Sequence, residues 1–143
     1  MAVVATVGRS ALLLAWEVSA VQEEPWRRLL QELSYARGGE GYVESRRRLG
    51  VSAESVWLVA KPSGGGVAVV CLEASDPERA LGELAESQAP FDLWYGGAMR
   101  KIFGVDLARV APAGSGELLF TWRDGGPGER EAPKSPFPDV PAR

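Results

Sequence analysis

Six side chains carry the types that could line a small-molecule cleft: Trp16, Tyr42, Trp57, Glu73, Tyr95 and Arg100. Five of them offer aromatic rings or a guanidinium, the groups that hold a flat apolar ligand and fix its polar end. Tyr35 belongs to the same class. Glu73 closes the apolar run Val67-Ala68-Val69-Val70-Cys71-Leu72. Burial there would raise its pKa towards that of a general base. Each of these residues also has a plainer role. Aromatics at such spacings are more often core or interface, and an acid at a strand end (Glu73, or Glu17 in the first strand) is more often solvated. Cys71, within the apolar run, reads as a small inert hydrophobe, because burial disfavours its thiolate.

What is missing limits the chemistry further. The 143 residues contain no His, no Asn and one Cys. Ser-His-Asp and Cys-His nucleophile systems, His-ligated haem and zinc sites built on several Cys or His are therefore excluded. No metal or other cofactor is expected. One Cys cannot form an internal disulfide, so the expected compartment is the reducing cytoplasm. A net charge of -3 provides no broad basic field for nucleic acid or an anionic membrane. Arg46-Arg47-Arg48, with Arg27-Arg28 and Arg37, makes only a local basic spot, and Glu32, Glu40 and Glu44 turn it into a mixed, solvated face. Ser63-Gly64-Gly65-Gly66 lacks the Lys-Ser/Thr of a phosphate-binding loop and reads as a turn. The apolar stretch Ala11–Trp16 is shorter than a signal-peptide core and reads as a buried strand, and no run is long enough to span a membrane. Thirteen of the sixteen basic residues are Arg, which points to a GC-rich bacterial genome rather than to a function.

The elements that must position these residues follow from periodicity. Arg9–Val18 predicts a strand, with Leu12, Leu14, Trp16 and Val18 on one face and Ala11, Leu13 and Ala15 on the other. Glu23-Glu24-Pro25 predicts a helix start, followed by Trp26, Leu29, Leu30 and Leu33 on one stripe. Gly38-Gly39 should interrupt that helix, and Tyr42, Val43, Arg46 and Leu49 resume it up to a C-cap at Gly50. Ser55–Lys61 and Val67–Glu73, joined by Pro62–Gly66, predict an antiparallel hairpin. Ser75-Asp76-Pro77-Glu78 predicts the next helix start, with Ser75 or Asp76 as cap. A further helical piece runs from Asp92 to Phe103 and ends at Gly104, and Glu117–Trp122 predicts a last strand. Residues 1–8 read as an N-terminal lead, 9–122 as the folded domain and 123–143 as a disordered Pro/Gly-rich tail.

The resulting order, β-α-β-β-α-β, is that of an α+β ferredoxin-like sandwich with an antiparallel sheet. One feature does not fit a lone copy. The first three strands are apolar on both faces, whereas a sheet with helices on one side and water on the other should alternate. A second copy of the sheet is the economical cover, giving a homodimeric α/β barrel in which Leu13, Ala15, Trp57, Val59, Val70 and Leu119, or their neighbours, are hidden.

Three segments carry a resemblance: Trp26–Leu33, Ala74–Leu81, and Pro90–Trp94 followed by Phe103–Leu107. In this order they resemble an uncharacterised family of small bacterial proteins of the dimeric α/β-barrel group, over roughly Arg9–Trp122. The resemblance implies the fold and says little about chemistry. The wider group includes cofactor-free monooxygenases, lactone isomerases and haem proteins. This chain lacks the Asn of the first and the proximal His of the last. The expectation is therefore a homodimeric protein that binds a small apolar or aromatic molecule without metal or haem. The alternative is a cofactor-independent monooxygenase- or isomerase-like enzyme acting on an aromatic or lactone substrate in the sheet–helix cleft, and a third possibility is a purely structural dimerisation module. A pocket of about 300 Å³ with convergent polar groups would favour the first two.

Overall fold

In the computed structural model, residues 2–33 and 36–104 are described, together with Leu119, Phe120, Trp122 and Asp124. The chain opens with a β-hairpin. β1 (Ala2–Val7) pairs antiparallel with β2 (Ala11–Val18), from Val7 opposite Ala11 to Ala2 opposite Trp16. Gly8 starts the connecting turn at φ +63°, a left-handed conformation that glycine adopts without a Cβ penalty. The β-branched residues of Ala-Val-Val-Ala-Thr-Val favour this strand, although the sequence reading set the segment apart as a lead.

Ser19 then caps α1 (Ala20–Glu32), its backbone N–H donating to Gln22 Oε1 at 2.9 Å. The helix thus begins before the expected Glu23, and Pro25 lies inside it rather than at its opening. Pro25 leaves the Val21 carbonyl without its helical donor, which is tolerable because Val21 faces solvent. α2 (Ala36–Arg48) includes Gly38 and Gly39, so the helical break falls ahead of them, and the helix terminates at Gly50, φ +74°. β3 (Val51–Ala60) and β4 (Gly66–Ala74) form the expected antiparallel hairpin. Asp76 caps α3 (Pro77–Glu86) by accepting from the Arg79 N–H at 3.1 Å. α4 (Pro90–Phe103) ends at Gly104, as read, where a left-handed residue donates to the Arg100 carbonyl.

The fold is α+β: among the described residues, a four-stranded antiparallel sheet in the order β1-β2-β4-β3, with four helices. β4 lies between β2 and β3, an arrangement compatible with a ferredoxin-like fold. One correction concerns the fourth strand. The sheet position beside β2, which the expected strand Glu117–Trp122 would fill, is occupied by β1. Leu119, Phe120 and Trp122 lie outside any strand and are exposed, while the other residues of that segment, like Tyr35 and residues 125–143 of the expected tail, fall outside the described residues. A hairpin partner three residues away closes a far smaller loop than one a hundred residues away, so β1 has the entropic advantage at that edge.

Register and burial separate the two faces of the sheet. Val4, Leu12, Leu14, Trp16, Val18 and Ala68 turn towards the helices and pack with Trp26 and Leu29 of α1 and Met99 of α4. Val56, Leu58 and Val70 share that side, so Val70 does not belong to the second face where it was expected. A smaller cluster of Leu49, Leu72, Ala74 and Ala80 seats α3. The opposite face carries Val3, Leu13, Ala15, Trp57, Val59, Val67, Val69 and Cys71 by strand alternation. Among the described residues Trp57 and Val59 on this face are 53% and 64% exposed, whereas Val7 and Ala11 at its far end, on the same side by alternation, are buried. Among the described residues no helix is long and apolar enough to cross a membrane.

Candidate functional site

A cavity of about 180 Å³ lies between the helix-facing side of the sheet and the helices. Its floor is sheet: Leu14 and Trp16 of β2, Glu54 and Val56 of β3, Val70 and Leu72 of β4. Trp26 and Leu30 come from α1, Arg46 from α2, Leu81 and Leu84 from α3, and Asp92, Tyr95, Met99 and Arg100 from α4. The volume falls short of the expected 300 Å³. It exceeds the ~150 Å³ of an apolar cavity that admits benzene, so a ligand of one or two fused rings fits.

One wall is polar. Arg46 donates from Nε to Glu54 Oε1 at 2.7 Å and from Nη1 to Ser45 Oγ at 3.1 Å. Both members of the ion pair are buried. The guanidinium also stands 4.9 Å from the Tyr42 ring and 5.9 Å from the Tyr95 ring, within cation–π range. Burial works against the charge on Arg46, but Glu54 holds its pKa above the usual Arg value. Burial, reinforced by Glu54, raises the pKa of both tyrosines, so each keeps its phenolic proton at neutral pH. Asp92 forms the second polar point. Its carboxylate is buried and accepts from Ser45 Oγ and Ser87 Oγ, both at 2.5 Å, and from Arg48.

Two further polar atoms near the cavity have no hydrogen-bond partner among the described residues: the indole Nε1 of Trp16 and of Trp26. These rings and Phe103 meet edge-on, with centroids 5.6–6.0 Å apart and planes 69–75° apart. Such geometry can bring a ring N–H towards a π face, a weak acceptor.

Of the residues singled out from the sequence, Trp16, Tyr95 and Arg100 line the cavity, and Tyr42 stands behind it against Arg46. Trp57 and Glu73 are not brought together with them, since both lie on the opposite face of the sheet. Cys71 is on that face too, and burial, with Glu73 near by, pushes its thiol pKa up. Sequence reasoning missed Glu54 and Asp92, and it placed Arg46 in a solvated basic spot. A signal for two of them was present. Arg46 falls on the same helical stripe as Tyr42 and Leu49, and Glu54 alternates with Val56 and Leu58 on one strand face. The basic residues also pair differently from the expectation: Arg27 with Glu23, Arg28 with Glu24, Arg46 with Glu54 and Arg48 with Asp92.

No family model, curated protein or solved structure matches the chain.

Proposed function

We propose that this chain is a homodimeric α/β-barrel protein of the cytoplasm that binds a compact apolar or aromatic molecule in the cavity between sheet and helices. The observation that carries the ligand half is the cavity itself, with mainly apolar walls and one cluster of fixed polar groups, the usual composition of a small-molecule site. Binding is favoured over catalysis by the state of its acids. Asp92 is committed to three donors and Glu54 to Arg46, while Tyr95 holds its proton.

The dimer half rests on the uncovered sheet face. Val3, Trp57, Val59 and Val67 are exposed together on one side of one sheet, an apolar patch of the kind that marks an interface. A second copy is the economical cover, because identical open faces are self-complementary about a two-fold axis.

Adjacent positions on β3 separate the two faces in one experiment. Val59→Asp places a charge on the open face and should yield a folded chain that sediments as a monomer. Leu58→Asp places it against the helices and should abolish folding. If the unmutated protein sediments as a monomer at micromolar concentration, the dimer reading is wrong. Ligand binding is tested separately, by native mass spectrometry of the purified protein: a co-purified small molecule supports it, and a bare chain contradicts it.

A further inference from the structure

Resting on the reading of the cavity as a ligand site, we infer that Gly96 sets the size of the ligand: the side chain it lacks leaves open the space between α3 and α4 that a ligand ring fills. α3 packs on β2 and β4 and α4 packs on α1 and α2, while α3 and α4 scarcely meet. The cavity occupies that gap. α4 contributes Asp92, Leu93, Tyr95, Gly96, Met99 and Arg100 to its wall, spaced as a single helical stripe. Gly96 lies at the middle, one turn from Asp92 and Leu93 and one turn from Met99 and Arg100. On its inner side Asp92 and Met99 are buried, and on its outer side Leu93 and Arg100 are exposed. Gly96 therefore stands where the cavity meets solvent. The α3 wall includes a second small residue, Ala85.

Packing does not demand a glycine at this position, because a Cβ on Gly96 would meet nothing within 4 Å. The same holds for Gly82 and Gly97, but neither lines the cavity. What distinguishes Gly96 is its stripe, where the vacant space belongs to the cavity. The volume makes that vacancy decisive. About 180 Å³ is little more than the ~150 Å³ at which an apolar cavity admits benzene. One methyl group, close to the size of a water molecule at about 30 Å³, would take up the difference. A leucine side chain would go well beyond it, turning into the apolar gap rather than into water.

Calorimetric titration of the dialysed 143-residue chain with benzene (one ring) and indole (two fused rings) tests this, with Gly97 as the matched control. Gly97 is in the same helix, equally open and off the stripe, so equal substitutions carry the same propensity gain. The unmutated protein should bind both probes. Gly96→Ala should keep benzene and weaken indole at least about tenfold, the scale of crowding by one methylene. Gly96→Leu should bind neither. Gly97→Ala and Gly97→Leu should bind both as the unmutated protein does, and thermal melts establish that each variant is folded. Should Gly96→Leu fail to fold, the two alanine variants decide. Indole affinity in Gly96→Ala within about threefold of the unmutated protein, or an equal loss in the Gly97 variants, would overturn the inference and leave the cavity as a ligand site. If the unmutated protein binds neither probe, the ligand-site reading itself fails, and with it the inference.

Discussion

Arg46 is fixed by three kinds of interaction at once: a buried ion pair, a hydrogen bond to Ser45 and two aromatic faces. Taking two charges out of water is costly, and a buried pair roughly offsets that cost only while both partners remain. Glu54→Ala should therefore destabilise the protein by about 3–5 kcal/mol, because it strands a buried cation. Replacing both partners, Arg46→Met with Glu54→Leu, should recover most of the loss. Urea unfolding of the three proteins checks this, and a negligible loss in Glu54→Ala would show that water reaches the guanidinium. At this scale the sequence was only partly legible. The stripe containing Tyr42 and Arg46 was visible, but its arginine triplet suggested solvent. Burial of an Arg depends on an acid arriving from another element, here β3, and periodicity within one helix carries no information about that partner.

Helix ends and strand pairs were more legible, because their signals are local. Asp76, Gly50 and Gly104 cap helices as their residue types imply. Asp76→Ala should cost roughly 1 kcal/mol by removing the acceptor of the Arg79 N–H, whereas Ser75→Ala should cost little. Equal losses in the two thermal melts would mean that both residues share the cap. Two helical glycines give a contrasting pair. A Cβ on Gly82 in α3 would meet nothing within 4 Å, so Gly82→Ala should stabilise by about 0.5–1 kcal/mol through helix propensity alone. A Cβ on Gly41 in α2 would lie 2.7 Å from the Phe91 ring and 3.2 Å from its Cβ, so Gly41→Ala should lower the melting temperature despite the same propensity gain. A gain at Gly41 would show that α2 and α4 can separate freely. What local signals could not decide was which strand fills the sheet position beside β2. Ala2–Val7 and Glu117–Trp122 both have strand-forming residues, and the choice rests on loop closure, not on strand propensity.

For the whole molecule, the pattern that mattered most is legible in the sequence: strands apolar on both faces need cover on both. Among the described residues the structure shows helices on one side and leaves Val3, Trp57, Val59 and Val67 exposed on the other. Which face met the helices could not be read from β2 or β4 alone, since either set of alternating residues would make a core. Glu17 and Glu73 share the open face with the valines, placing charge at its margin and apolar area at its middle, as on protein interfaces. Cavity and open face lie on opposite sides of one sheet, so a dimer through the open face would leave the ligand site in each subunit accessible. Native mass spectrometry of the 143-residue chain as purified tests both parts together. The account predicts an ion of two chains, twice 15.3 kDa, with a small-molecule increment. A single-chain ion with no increment would contradict it.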